Sequence, residues 1–198
     1  MNFITSHHIP SRTKPNITKS IVSTLKLYQQ RGFQIQDIHG NNEFDLDLLH
    51  ESILPSKLHI YAAKEHVGVI EGSIRTVKER CRCITHTVPF KRYTKLMTTS
   101  LVECATYWLN AFLSKNGITG NISPAGIVIG CSTPDYKHTN IIFGSYAIVH
   151  TGTHNNMKRR SVPGIALGPS NEWGGAILHV LVFQKKTTCL QLDQSANR

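Results

Sequence analysis

Two hydrophobic periodicities, used one after the other, predict an α/β fold. Between residues 16 and 117, long stretches with an apolar residue at every third or fourth position alternate with short apolar runs, as when helices alternate with strands. Beyond residue 118 the pattern becomes strand-like runs set apart by Gly and Pro, which predicts a small β-rich region. A chain of 198 residues that is 40% apolar is long enough to bury one core, with room for a modest appendage.

The elements follow in order. The opening NFITSHHI reads as a short strand. In NITKSIVSTLKLYQQRG, the residues Ile17, Ile21, Leu25 and Tyr28 recur at spacings of four, four and three and make one helical stripe. Gly32 stands where a C-terminal glycine cap belongs. FQIQDI then reads as a strand, so the first elements are β-α-β and predict a parallel pair. After the polar hexapeptide HGNNEF, the segment EFDLDLLHES predicts a short helix closed by Pro55, and KLHIYAA a short strand. VGVIEGSIRTVKERCRCI is a helix with Ile70, Ile74, Val77, Cys81 and Ile84 along one side and Arg75, Lys78, Arg80 and Arg82 on the other. KLMTTSLVECATYWLNAFLSKNG is the clearest helix, with Met97, Leu101, Ala105, Trp108 and Phe112 as its buried stripe and Asn116-Gly117 at its end. SPAGIVIG reads as a helical turn, and NIIFGSYAIVH, VPGIALGP and AILHVLVFQ as strands.

Charge and cysteine usage narrow the function classes. Lys and Arg number 22 against 12 Asp and Glu, a net charge of +10. Such a balance favours polyanions, nucleic acid first among them, through counterion release, although many basic proteins have no such partner. No window offers the roughly 18 uninterrupted apolar residues of a membrane span, and MNFITSHHIPSRTK lacks the apolar centre of a secretory leader. Five cysteines, odd in number and unpaired in spacing, fit reduced thiols and an intracellular location. Cys81 and Cys83 face no second pair at zinc-finger spacing and read as ordinary helix positions. His7-His8 reads as a pair of loop or edge-strand histidines, and Lys158-Arg159-Arg160 as a cluster that either touches nucleic acid or keeps a loop in solution.

HGNNEF raises the chemical question. A polar hexapeptide at the exit of a strand, followed by a helix with Glu71 in its first turn, is a workable frame for two-metal phosphoryl transfer. Magnesium needs hard carboxylate oxygens there and is poorly held by neutral amides such as Asn41.

Taken together, RGFQIQDIHGNNEF, EHVGVIEGSIRTVKERCR, VPFKRYTKLM, YWLNAFLSKNGITGNISPAGIVIG, PDYKH, FGSYAIV and SVPGIALGPSN resemble, in order, the blocks of the integrase segment of copia-type (Pseudoviridae) retrotransposon polyproteins. The resemblance spans residues 2 to 175. It implies a ribonuclease H-like mixed sheet with flanking helices over residues 1–117, here without its first strands, then a post-core region over 118–198 that diverges after about 175. It further implies an Asp, Asp, Glu triad holding two Mg²⁺ (or Mn²⁺), DNA as partner, integrase-type multimers and a nuclear location. Glu71 matches the triad Glu, and any metal would rest on it. The second Asp falls on Asn41, and the first lies upstream of anything this N-terminus resembles. Gly72 replaces the family's usual Arg, and the family's pattern is lost after Trp173-Gly174-Gly175, as a frameshift would produce.

The expectation is therefore a degenerate core whose ancestral role was DNA strand transfer and whose catalysis is lost. Asp37, Asp45 and Asp47 are poor substitutes, because a metal ligand must sit within about half an ångström of its place. Arg75, Lys78 and Arg82 are the candidate DNA-binding residues, the alternative being a solvated basic face. A non-enzymatic module that binds nucleic acid or pairs with intact integrases is the competing reading. A longer polyprotein is a third. Without a first strand, the strand ending at position 41 is expected to leave one edge unpaired.

Overall fold

The computed structural model describes residues 3–44, 47–61, 68–113, 120–130, 141–150, 157, 160–169, 177–182 and 188–193. Among these residues the order is α1 (Lys14–Gln29), β1 (Asp37–Asn41), a 3-10 turn (Asn42–Phe44), α2 (Asp47–Ser52), β2 (Lys57–Tyr61), α3 (Gly68–Thr87), α4 (Lys95–Ala111), α5 (Pro124–Ile129), β3 (Tyr146–His150), β4 (Ser161–Pro169), β5 (Ile177–Val182) and β6 (Thr188–Asp193). The architecture is mixed α/β. It has a two-stranded parallel sheet, β1–β2, and a four-stranded antiparallel sheet in the order β3-β4-β5-β6. Among the described residues no helix is long and apolar enough to cross a membrane.

α1 buries Ile17 and Leu25 and ends as its glycine predicts. The Gly32 N–H donates to the Gln29 carbonyl at 2.9 Å and the Phe33 N–H to the Tyr28 carbonyl at 3.2 Å, with φ at Gly32 of +77°. The Tyr28 and Phe33 rings meet edge to face at 6.0 Å across this closure. The stripe continues into one core cluster of Ile17, Leu25, Leu49 and Ile53, against which Ile38, Phe44 and Leu58 pack. That cluster covers one face of β1–β2.

Two expectations about this half need correction. The parallel pair is formed by β1 and β2, from Asp37↔Lys57 to Asn41↔Tyr61, and not by the opening segment with FQIQDI. Strand β1 also starts later than FQIQDI suggests, because β2 begins only at Lys57, and it runs on through His39-Gly40-Asn41. Half of the hexapeptide is therefore strand rather than loop.

The opening segment, read as a strand, is not one in the structure. Its backbone is satisfied by a side chain instead: Ile4 N–H donates to Asn110 Oδ1 at 2.9 Å and Asn110 Nδ2 donates to the Ile4 carbonyl at 2.6 Å. Ser6 Oγ lies 3.1 Å from Thr106 Oγ1, and the Phe3 and Tyr28 rings meet at 6.1 Å. This segment thus straps α4 to α1. Asn110 is 2% exposed, so Asn110→Ala leaves the two part-buried backbone groups of Ile4 without this partner, and a stability loss of about 1–2 kcal/mol is expected. Urea unfolding reads the loss, and limited proteolysis within residues 3–10 should accelerate. Unchanged cleavage would show that Asn110 does not hold the strap.

α4 is the centre of the other half. Thr94 caps it, its hydroxyl accepting from the Met97 N–H at 3.2 Å. Met97, Leu101 and Ala105 are buried as predicted, but Trp108 is only half-buried and Phe112 is 57% exposed. Cys104, Thr106, Tyr107 and Asn110 are buried in their stead, because α4 is covered on two sides, by the opening segment and by β4. The helix closes at Ala111 with Phe112 extended, and the expected Asn116-Gly117 end lies outside the described residues. α5 is capped by Ser123, whose Oγ accepts from Gly126 N–H at 3.1 Å, and ends at Gly130 with φ +72°.

Residues from both sides of position 117 share one core cluster: Val88, Met97, Leu101, Cys104, Phe143, Ile165 and Leu167. Burial pushes the Cys104 thiol up to about 12, which makes its sulfur a space-filler and not a nucleophile. The antiparallel sheet carries one strand more than the sequence suggested, β6, paired with β5 from Ile177↔Asp193 to Val182↔Thr188.

Candidate functional site

Alternation along a strand sends residues i, i+2 and i+4 to one face. Ile38 and Gly40 are the less exposed positions of β1. Asp37, His39 and Asn41 therefore share the opposite face, next to Lys57, His59 and Tyr61 on β2. The parallel register sets His39 beside His59. Their imidazoles stack, with centroids 5.1 Å apart and planes 20° from parallel. His59 Nε2 lies 2.9 Å from Asp37 Oδ1, and Tyr61 Oη lies 2.9 Å from His39 Nδ1. With 47% and 49% of the His59 and Asp37 side chains exposed, the pair fixes geometry more than it adds stability.

The rest of HGNNEF is structural. A Cβ on Gly40 would meet Phe44 Cδ2 at 2.9 Å, so only glycine lets Phe44 fold back against the α1–α2 cluster. Phe44 packs there as a partly buried side chain. Asn41 Oδ1 accepts from the Glu43 N–H at 3.2 Å, an Asx turn closing the strand. Glu43 itself approaches Arg12 at 3.4 Å on an exposed surface.

Glu71 is in the first turn of α3 and exposed, with Gly72 beside it in open space. Residues 71, 75, 78 and 82 are spaced by four, three and four, so Glu71, Arg75, Lys78 and Arg82 line one stripe of the helix. All four are exposed, and Arg75 makes a loose ion pair with Glu79 at 3.8 Å. The adjoining apolar stripe is less covered than amphipathicity suggests: α3 buries no residue, and Val69, Ile70 and Ile74 are 73%, 42% and 48% exposed. Only Cys81 and Ile84, near its C-terminal end, pack on the α4 cluster. Arg160 is exposed, whereas Lys158 and Arg159, like most of the EHV opening before α3, lie outside the described residues.

These donors do not fit a two-magnesium centre. Asn41 offers an amide oxygen already engaged by its own turn. Asp37, the nearest carboxylate along the strand, is bonded to His59. Among the described residues no three His, Cys, Asp or Glu side chains are placed to hold a metal ion. Asp45 lies outside the described residues, and Asp47 belongs to α2, a separate element.

Sequence reasoning missed His39, His59 and Tyr61 as a group. The signal was present as two period-2 strings, D-x-H-x-N and K-x-H-x-Y, but they converge only once the register is known. No protein-family profile matches the chain, and no curated protein matches it significantly.

Proposed function

We infer that this chain is a degenerate integrase core of copia-retrotransposon type, descended from a DNA strand-transfer enzyme and no longer catalytic. The fold reading is ribonuclease H-like, with β1, β2 and α3 as the part that carries the ancestral site. One observation supports it best: Asn41 closes a strand that runs parallel to its neighbour, and Glu71 opens the helix that follows. In the resembled family these two positions hold the second and third carboxylates, and here the second is an amide. An amide at that position holds magnesium far more weakly than a carboxylate. What would remain is salt-sensitive contact with DNA along Arg75, Lys78 and Arg82, in the nucleus, alone or beside intact integrases.

Strand-transfer assays of the full chain with Mg²⁺ or Mn²⁺ and a pre-cleaved DNA end test the loss of catalysis. No joined product is expected, nor any from Asn41→Asp, which supplies one carboxylate where two are missing. Product that disappears in Glu71→Gln would refute the inactive reading. Upstream in-frame DNA encoding a strand with an Asp, after a His/Cys zinc-binding segment, would point instead to a longer polyprotein.

The second reading, a non-enzymatic basic module retained by the host for nucleic-acid binding or for pairing with integrases, is favoured by the exposed cationic stripe of α3. It is separated from the first by DNA sequence around the coding region rather than by binding, since both readings predict binding.

A further inference from the structure

The geometry points to a surface site for a late first-row divalent cation, Cu²⁺, Ni²⁺ or Zn²⁺, held by His39 Nε2 and His59 Nδ1 on the open face of β1–β2. This inference does not depend on the integrase reading, and it concerns a different metal class and different residues from the Asn41 and Glu71 positions.

Four observations carry it. His39 and His59 are directly paired positions on neighbouring strands, and their rings already stand 5.1 Å apart, nearly parallel. Two imidazole nitrogens sharing one tetrahedral ion at about 2.0–2.1 Å lie roughly 3.3 Å from each other. To converge on one ion the two rings must turn out of their stack, because nearly parallel imidazoles send their in-plane lone pairs in nearly parallel directions. Each ring, moreover, has its other nitrogen fixed by a neighbour: His59 Nε2 by the Asp37 carboxylate and His39 Nδ1 by the Tyr61 hydroxyl, both at 2.9 Å. A metal-binding histidine characteristically hands its second N–H to a carboxylate or another acceptor, which sets the tautomer and raises the basicity of the ligating nitrogen. Both rings here are arranged in that way.

The ligand chemistry selects the ion. Neutral imidazole suits copper, nickel and zinc, and not magnesium or calcium. Asp37 is bonded to His59 and acts behind it, and among the described residues no group of three His, Cys, Asp or Glu is placed to hold a metal ion. The protein supplies two ligands, and water or a donor from another molecule completes the shell. The site is accordingly an open one, suited to exchange or bridging and not to structural closure. Lys57, in register with Asp37, stands on the same face and offsets the carboxylate's charge.

The test uses the full chain at pH 7.5 with Zn²⁺ or Cu²⁺ alone, followed by calorimetry against a competing chelator. One equivalent is expected at this site, absent from His39→Ala and from His59→Ala and unaffected by millimolar Mg²⁺. Asp37→Asn and Tyr61→Phe should keep the equivalent but weaken it by about tenfold or more. His7→Ala with His8→Ala should leave it intact, which separates the site from that pair among the chain's 11 histidines. In the unaltered protein, Cu²⁺ should show two coordinated nitrogens by electron paramagnetic resonance, and Zn²⁺ should shift the ring signals of His39 and His59. Binding of equal stoichiometry and affinity in the His39→Ala/His59→Ala variant, or unmoved His39 and His59 signals under saturating Zn²⁺, would overturn the proposal.

Discussion

Gly168→Ala is expected to destabilise the protein by about 2–5 kcal/mol. Two physical terms contribute. Gly168 has φ +85°, a left-handed conformation that costs a residue with a Cβ about 1–2 kcal/mol. The added Cβ would also stand 2.7 Å from Cys104 Sγ and 3.1 Å from Cys104 Cβ, and overfilling a packed core costs about 1–3 kcal/mol. Neither neighbour can retreat easily, since Cys104 is 2% exposed in the middle of α4. The glycine also lies where the β4–β5 register shifts, between Ala166 and Pro169, so the same residue turns the strand and lets it meet the helix. For a chain of this size the loss corresponds to a fall in Tm of roughly 4–20 °C.

Gly32 provides the control. Its φ is +77°, yet nothing lies within 4 Å of its Cβ position, so Gly32→Ala should cost only the conformational term. Pairing Gly168→Ala with Cys104→Ala removes the sulfur contact and should recover about 1 kcal/mol relative to the sum of the single changes. Equal melting of Gly168→Ala and Gly32→Ala would mean that β4 and α4 are not packed as closely as described.

The legible parts of the fold are those in which local pattern and tertiary environment agree. α1 could be read in full, stripe and glycine closure alike, because its core face is continuous and its end depends on one residue. β2 was readable from its apolar run, whereas β1 shares only Asp37-Ile38 with FQIQDI and its parallel partner was misassigned. The opening segment was not, because Phe3, Ile4 and Ile9 read as strand residues whether the backbone partner is another strand or one asparagine 106 residues away. α4 was legible as a helix and misread in its buried side, since a helix covered from two directions has no single apolar stripe. Thr106 and Asn110 are buried among bonds that no hydropathy pattern announces.

The site was only half legible for a related reason. That Glu71, Arg75, Lys78 and Arg82 share one stripe follows from helix spacing alone, which needs no partner, while their role is what the resemblance implies. His39 and His59 meet through a strand register, and register is set by the lengths of β1 and β2 and by the α2 connection between them. A side chain's neighbours on its own element can be counted from the sequence. Its neighbours across a sheet come from the fold.

DNA binding should fall by about 40-fold between 50 and 200 mM salt if Arg75, Lys78 and Arg82 each neutralise one phosphate. The estimate follows from a slope of about −0.9 per contact on duplex DNA, which for three contacts gives roughly the 2.7 power of a fourfold change in salt. Several features favour this stripe. Its three cations lie along one face of α3, exposed and spaced by three and four residues, so their charges add along a line. Like charges at such spacings weaken a helix by a few tenths of a kcal/mol per pair, a cost that an anion lying along the helix would remove. Glu71 at the head of the stripe has the opposite sign and would be the end of the footprint rather than part of it. Fluorescence anisotropy with a short duplex measures the slope directly. Arg75→Glu, Lys78→Glu and Arg82→Glu combined should lower affinity at 50 mM salt by more than tenfold and flatten the salt dependence by nearly three log units per log unit of salt. The neutral Gln variants should give the same flattening with a smaller loss, which guards against a helix broken by new repulsions, and circular dichroism reports whether α3 survives. Reversal of Lys19 and Lys26, exposed on α1, is the comparison. If that pair removes binding and the α3 triplet does not, the footprint lies on α1 and the basic stripe of α3 is only a solvated face.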